Sequence, residues 1–327
     1  MLSSLKKKLK SYLLTDRHPI ILSLCQKRLE RILLSEPTRH KNMSYPEIEA
    51  EIGRRYQSVF GRSLDWDNPK TYNEKIQVSK IYMPTPLKTK LADKVAVREW
   101  VTEKTGSEYL VPLLGVYGSF DEIDFDALPR QFVMKCSHDS KSVTLVKDKE
   151  KASREFLRCK YASYMKRDYE WVGLEMHYRG IPHRIVIEQY LGDAISDYKF
   201  TCLNGVPVFC WTDYDRFGDH RRNVYNMDWE LMPFMKDRRL RNTDRPCPCP
   251  PEFGKMKCVV TALCEGFDQV RVDMYLVDGH IYFGEMTFTG GDGYSPFVPD
   301  EWDYRFGEMW PFDATIRRKV LAGHSRP

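Results

Sequence analysis

Apolar residues recur at helical spacing in the first third of the chain and at strand spacing afterwards. Leu2, Leu5, Leu9 and Leu13 form one stripe of a starting helix, with Lys6, Lys7, Lys8 and Lys10 largely off it. A second helical stretch is expected from Ile20 to Leu34. Glu36-Pro37-Thr38 should end it, because the residue before a proline disfavours helix. The pattern predicts a third helix from Tyr45 to Arg62. Asp67-Asn68-Pro69-Lys70-Thr71 reads as a turn into a helix that starts near Tyr72. Leu91-Ala92-Asp93-Lys94 reads as the opening of another through Val101, with Gly106 beyond its end.

From there the period changes. Val111 to Tyr117, Phe132 to Cys136, Ile185 to Tyr190, Tyr198 to Leu203, Val206 to Trp211, Val270 to Val277 and His280 to Thr287 each read as a strand. All are short, rich in β-branched or aromatic residues, and bounded by Gly, Pro, Asp or Asn. Helical stretches near 149–166 and 251–265 lie between them, so the fold class is mixed α+β. No internal repeat or low-complexity tract is present, and Lys236 to Pro251 reads as the least ordered stretch.

A length of 327 residues suggests two structural units, or one enzyme-sized unit with an appendage. The net charge of +5 is unevenly placed: residues 1–45 hold ten Lys/Arg against three Asp/Glu, and the rest is almost neutral. That removes the electrostatic case for nucleic-acid binding. The basic amphipathic start (residues 1–14) has two readings, a peripheral contact with an anionic bilayer or a helix packed on the body or on a partner chain. The longest apolar run, Pro19 to Leu24, is far below the ~20 residues of a membrane span. No signal peptide is visible, so a cytoplasmic protein is expected, at most peripheral at the inner face of the membrane. Nine scattered cysteines read as reduced thiols, and Cys247-Pro248-Cys249 as a kinked surface loop rather than a metal site.

The most informative segment runs from Arg271 to Thr287. Two strands flank Asp278-Gly279, a strong hairpin signal. Val272, Met274 and Leu276 alternate with Arg271, Asp273 and Tyr275, and on the return Met286 alternates with Glu285 and Thr287. Register decides whether the polar residues meet. A strict two-residue turn pairs Val277 with His280 and puts Asp273 and Glu285 on opposite faces. A three-residue turn shifts the parity and puts both carboxylates on one face, a diagonal step of ~7 Å or less apart. Two carboxylates beside an arginine then fit either a hard divalent ion such as Mg²⁺ shared with phosphates or ordinary Arg–carboxylate pairing on a solvated face.

Candidate phosphate-binding elements lie elsewhere. Phe132-Val133-Met134-Lys135-Cys136 carries a lysine inside an apolar strand, which is costly unless the lysine is paired or aimed at a ligand. The polar loop Ser137-His138-Asp139-Ser140-Lys141-Ser142 follows it and is able to cover phosphates. Arg184 to Leu191 is a strand with a polar edge, and Asp197-Tyr198-Lys199-Phe200 again sets a basic residue among apolar ones.

The order of these pieces resembles the ATP-grasp superfamily and, within it, the TupA-like (teichuronopeptide-type) family of cell-surface polysaccharide biosynthesis. The likeness covers about residues 67–308. It rests on Asn68-Pro-Lys-Thr-Tyr-Asn-Glu-Lys75, Pro86-Leu-Lys-Thr-Lys-Leu-Ala-Asp-Lys94, Leu113-Leu-Gly-Val-Tyr117 with Phe120-Asp-Glu-Ile-Asp124, Asp197-Tyr-Lys-Phe200, Asp215-Arg-Phe217 and Phe283-Gly-Glu-Met-Thr-Phe288. The resemblance implies an ATP-grasp fold, two α+β lobes that clamp ATP. Here the lobes would be residues 67–192 and 193–327, with 1–66 as a helical N-terminal extension.

It also implies roles for individual residues. Lys135 matches the strand lysine on the α/β phosphates, and Arg98 a second phosphate-directed residue. Ser140, Lys141 and Ser142 fall in the loop over the phosphates. Glu188, Gln189 and Tyr190 match the hinge that holds adenine and ribose. Lys199 is similar to the basic residue near the γ-phosphate, and Asp273 and Glu285 match the Mg²⁺ carboxylates. Thr287 stands third, where many relatives place an asparagine. Arg271 resembles the arginine on the acyl-phosphate oxygens, and Arg222 with Asn223 lines the acceptor side. The loop departs from the family's His-Gly-Ser-Gly-Gly-like pattern. Its missing glycines and the added Asp139 bear on ATP affinity and turnover, with Lys141 as a compensating charge.

The implied chemistry uses ATP and Mg²⁺ to activate a substrate carboxylate as an acyl phosphate that an amine captures. The substrate would be a sugar acid or amino acid, lipid-linked or polymeric, in capsule or cell-wall assembly. No enzyme nucleophile is required, so Cys136 and His138 are read as loop residues. Two other readings stay open at this level. One is a kinase-like phosphotransferase acting on a sugar hydroxyl. The other is a non-catalytic nucleotide-binding scaffold.

Overall fold

The computed structural model describes residues 19–214 and 219–323. The leucine stripe of residues 2–13 and the Asp215-Arg216-Phe217 stretch lie outside the described residues. Two long helices come first, α1 (Pro19–His40) and α2 (Tyr45–Phe60). Three shorter ones follow, α3 (Tyr72–Tyr82), α4 (Pro86–Ala92) and α5 (Val97–Thr105). Strands β1 (Leu113–Tyr117), β2 (Phe132–Cys136) and β3 (Thr144–Val146) precede α6 (Arg154–Tyr164) and the one-turn α7 (Glu170–Gly173). With β4 (Ile185–Gln189) they make an antiparallel sheet in the order β1-β4-β2-β3.

A second sheet begins with β5 (Ser196–Leu203), β6 (Val206–Tyr214) and β7 (Arg221–Asn226). After the short β8 (Met235–Lys236) and helix α8 (Phe253–Cys264), the hairpin β9 (Gln269–Val277) and β10 (His280–Thr287) completes it. The strand order is β10-β9-β5-β6-β7, all antiparallel. Strand β11 (Phe297–Val298) returns to pair with β8, and α9 (Glu301–Met309) and α10 (Ile316–Gly323) close the chain.

Local chemistry sets the start of α3. The Thr71 hydroxyl accepts the Glu74 N–H at 3.2 Å while the Glu74 carboxylate accepts the Thr71 N–H at 2.9 Å, a reciprocal cap. Packing then decides which sheet faces stay polar. Helix α8 buries Met256, Val260 and Leu263 against Phe200, Val270, Val272 and Met274 of the five-stranded sheet. The opposite face of that sheet is left for the alternate residues Lys199, Arg271 and Asp273. In the other sheet Phe132, Met134 and Cys136 enter the core with Ile185 and Ile187, so Lys135 points to the other side.

Several expectations need correction. Helix α1 runs through Pro37 to His40. A proline removes one helical hydrogen bond, and the turn beyond it is anchored: His40 is buried and its Nδ1–H donates to the Trp171 carbonyl at 2.6 Å. The helix expected from Leu91 to Val101 is broken in two. Asp93 accepts the Val95 N–H at 2.9 Å and pairs with Arg184 at 2.5 Å, which turns the chain between α4 and α5. Strands β3, β7, β8 and β11 have no counterpart in the sequence pattern. Lys236 to Pro251 is laid across β7 by hydrogen bonds. The Arg222 N–H donates to the Arg241 carbonyl, the Thr243 N–H to Asn223, and the Cys247 N–H to the Tyr225 hydroxyl.

Candidate active site

The hairpin carries the acidic centre, by a route that neither turn length anticipates. Asp278 (φ 48°) and Gly279 (φ 78°) form a two-residue turn that pairs His280 with Val277. Strict pairing would continue to Gly284 opposite Asp273. Instead the register shifts between Phe283 and Glu285, and Glu285 pairs directly with Asp273. Gly284 is the extra residue of a β-bulge. A Cβ there would stand 3.0 Å from the Asp273 carbonyl and 3.1 Å from the Tyr275 ring, so any larger residue crowds the bulge. Both carboxylates therefore share one face, as direct partners rather than diagonal neighbours.

Arg271 and Lys199 bind them together. The Arg271 guanidinium donates to Asp273 at 2.6 and 2.8 Å, to Glu285 at 2.7 Å and to the Thr287 hydroxyl at 3.0 Å. Lys199 donates to Asp273 at 2.7 Å and to Asp197 at 2.8 and 2.9 Å. Burial alone would raise the Asp273 carboxyl, but Arg271 and Lys199 outweigh it and hold Asp273 below the usual range. For Lys199, burial pulls down and Asp273 with Asp197 push up, and the net shift is upward. The Thr287 hydroxyl donates to Glu285 at 2.8 Å.

A second charged group faces this one. Lys135 pairs with Glu188 at 2.6 Å, and Arg98 approaches the other Glu188 oxygen at 3.6 Å. Lys94, Arg98, Lys135 and Glu188 line one side of a cavity whose other side includes Gly284 and Glu285. Burial lowers the Lys94 ammonium, which donates to the Asp139 carbonyl at 2.5 Å. Lys94 received no role from the sequence. Its signal was its place just past the end of a short helix, directly after a buried Asp93.

The loop after β2 is folded in a way that answers the added aspartate. Asp139 turns inward and pairs with Arg167 at 3.1 Å, both nearly inaccessible, and its carboxylate also accepts the Lys141 N–H at 2.6 Å. Its charge is thus neutralised within the protein rather than set against an anion. Ser140 and Lys141 are exposed, whereas Ser142 is buried with its hydroxyl accepting the Cys136 N–H at 2.8 Å. Ser142 ties the loop down. His138 stacks on His183 at 3.7 Å, and burial lowers its imidazole to about 3. At the end of β4 the Gln189 N–H donates to the Pro112 carbonyl, Gln189 is exposed, and the Tyr190 hydroxyl donates to Asp193.

Arg222 stands two strands from Lys199, paired with Asp213 at 2.7 and 3.0 Å. Its guanidinium and that of Arg271 lie 5.6 and 5.5 Å from the centre of the Trp211 ring, which joins Arg222 to the charged face. Asn223 is buried on the other side, bonded to Thr243 and Tyr225. It therefore does not line that face.

The donor set suits a hard divalent ion. Asp273, Glu285 and Thr287 offer oxygen only, and the Glu285 side chain is 42% exposed toward the cavity. Among the described residues no group of three or more His, Cys, Asp or Glu converges as a complete cage. Two carboxylates match an ion that takes its remaining ligands from phosphates and water, the habit of Mg²⁺.

Comparison with known proteins gives a family. The TupA-like ATP-grasp model matches residues 74–310. No curated protein matches the chain. Among solved structures, an L-amino acid ligase from Bacillus licheniformis is 15% identical, with 76% of this chain and 56% of that chain covered and a TM-score of 0.40. A D-alanine–D-alanine ligase from Bacillus anthracis is 15% identical over 71% and 66%, with a TM-score of 0.37. A phosphoribosylamine–glycine ligase from Thermotoga maritima is 15% identical over 73% and 61%, with a TM-score of 0.40. The match thus spans less than two thirds of each of these chains.

Proposed function

Since the chain belongs to the TupA-like ATP-grasp family, we propose that it is an ATP-dependent ligase that joins a carboxylate to an amine. The observation that carries this reading is the shared cavity. Lys135 and Glu188 of one sheet, with Arg98 of α5, and the Glu285 end of a paired-carboxylate hairpin of the other sheet line the same space. Such a cleft neutralises a polyphosphate from both sides.

We read residues 67–192 and 193–327 as the two lobes and 1–66 as an N-terminal extension, whose described part is largely helical. Lys135, Arg98 and Lys94 hold the phosphates on one side, under the exposed Ser140 and Lys141. Gln189, at the exposed end of β4, and Tyr190 just after it are assigned to the base. Asp273, Glu285 and Thr287 would hold Mg²⁺, which would supply charge neutralisation and orientation of the phosphates. Arg271 and Lys199 are then positioned to neutralise the transferring phosphoryl group, and Arg222 faces the acceptor. The balance is simple. The substrate carboxylate oxygen bonds to the γ-phosphorus as ADP leaves, and the amine then displaces phosphate and loses one proton. The substrate class is a sugar acid or amino acid of a cell-surface polymer, after the family's teichuronopeptide namesake. The inward-turned Asp139, paired with Arg167, keeps its charge from opposing an anion over the loop.

Calorimetric titration of ADP and a non-hydrolysable ATP analogue, with and without Mg²⁺, tests the reading in wild type, Lys135→Ala and Glu285→Gln. Mg²⁺-dependent micromolar binding, weakened at least tenfold in both variants, is expected. Absence of nucleotide binding by folded wild type would overturn it. Product analysis with candidate acids and amines then separates an amide plus free phosphate from a phosphorylated hydroxyl.

A further inference from the structure

The charged face of the five-stranded sheet does not stop at the carboxylate pair. Beyond Lys199, its cross-strand partner Trp211 lies with its ring buried at 4% exposure, and the indole Nε1–H has no hydrogen-bond partner. Three cations surround that ring: Arg271 at 5.5 Å, Arg222 at 5.6 Å and Lys236 at 5.8 Å from its centre. The two arginines have carboxylate partners, Asp273 with Glu285 and Asp213. Lys236 differs. It is 5% exposed, arrives on β8 opposite Phe297, and no ion pair or hydrogen bond of its ammonium is found among the described residues. Its neighbours are aromatic faces, Phe297 at 3.9 Å, Tyr72 at 5.6 Å and Trp211.

Magnitudes make this arrangement hard to explain as packing. Withdrawing an ammonium from water costs several kcal/mol, which the attraction of the buried Asp303 carboxylate offsets in part without a direct ion pair, and an unsatisfied buried N–H costs about 1–3 kcal/mol. Cation–π contact returns about 0.5–2 kcal/mol, which does not cover the two together. Methionine and phenylalanine would fill the same space without either cost. Burial drags the Lys236 ammonium down to about 7; Asp303 and, more weakly, Asp237 pull against it, while Arg222 and Arg271 add to the fall. Two unsatisfied donors of different elements, flanked by two arginines, are satisfied together by one small anion.

We propose that Lys236, Arg222 and the Trp211 indole N–H form a subsite for the carboxylate of the acid substrate, beside Arg271 and one strand from Lys199. This rests on the ligase reading for the identity of the anion and on the unpartnered donors for the site itself. Arg222, with its side chain 15% exposed, is the open edge of the subsite. Lys236 and Trp211 then select substrates by charge.

The test uses the full chain as wild type, Lys236→Met and Trp211→Phe. Thermal melting and calorimetry are run with acetate, D-glucuronate and L-glutamate as probes, against sodium chloride at equal ionic strength and glucose as the uncharged control. Without carboxylate, Lys236→Met is expected to melt several degrees above wild type. At least one carboxylate should raise the wild-type melting temperature, bind Lys236→Met at least tenfold more weakly, and bind Trp211→Phe several-fold more weakly. Glucose should do nothing. A Lys236→Met variant that melts at or below wild type makes the lysine structural and overturns the proposal. So do equal affinities in wild type and Lys236→Met, or no carboxylate response at all. ADP–Mg²⁺ binding in the same samples keeps the two readings separate: intact nucleotide binding without a carboxylate response sinks the subsite alone.

Discussion

Glu285 pairs directly across the hairpin from Asp273 although twelve positions and a two-residue turn separate them, because Gly284 is spent as a bulge. Taking Gly284 out leaves Phe283 opposite Met274 and moves Glu285 into regular pairing with the same Asp273. Deletion of Gly284 is therefore expected to fold and to keep the carboxylate pair. Gly284→Val, which forces atoms into the 3.0 Å gap above the Asp273 carbonyl, should lose about 1–3 kcal/mol and more than tenfold in Mg²⁺-dependent ADP affinity. Urea unfolding and nucleotide titration of the two variants check the order. A deletion more damaging than the valine would contradict the register.

Arg167 is the counter-ion of a buried aspartate in the loop over the cavity. Arg167→Met strands the Asp139 charge and should cost about 3 kcal/mol or more. Adding Asp139→Asn to it should recover most of that loss, since no charge is then left unpaired. A double-mutant cycle by urea denaturation measures the coupling. Additive losses would mean the two side chains act separately.

Two buried histidines set an acid limit. Burial lowers the imidazoles of His138 and His177 each to about 3, against 6.5 in the unfolded chain. The folded state refuses protons that the unfolded state takes, so their contribution is complete above pH 6.5 and is lost as pH falls toward 3. The slope is about 1.4 kcal/mol per pH unit for each histidine. Burial raises the Glu175 and Asp303 carboxyls, which act in the opposite sense. The informative quantity is therefore the difference between wild type and His177→Asn. That variant should lose less stability than wild type between pH 6.5 and 4.5; a parallel loss would refute the assignment.

Much of this architecture was legible where alternation is strict. Phe132 to Cys136 matches its strand, and the Lys135 that looked out of place is the residue the alternation turns away from the core. Strand β7 was illegible because Arg221-Arg222-Asn223 puts charge on the side that shares the polar face. The inward turn of Asp139 depends on Arg167, twenty-eight positions away, and no local rule reaches that far. Gly284 did carry a signal, since an isolated glycine within a strand often marks a bulge. Lys236 was hidden inside a proline-rich stretch that reads as loop, and its burial comes from β11, sixty residues downstream.

The guanidinium that bridges Asp273 and Glu285 has a further consequence. The acidic hairpin is already electrically closed by a cation tethered to its own strand, so a divalent ion arrives by exchange and not by rescue. The folded chain should therefore be indifferent to chelation: EDTA should leave the melting temperature of the nucleotide-free protein unchanged while abolishing nucleotide affinity. On the proposed reading the ion is then needed for nucleotide binding and not for the fold.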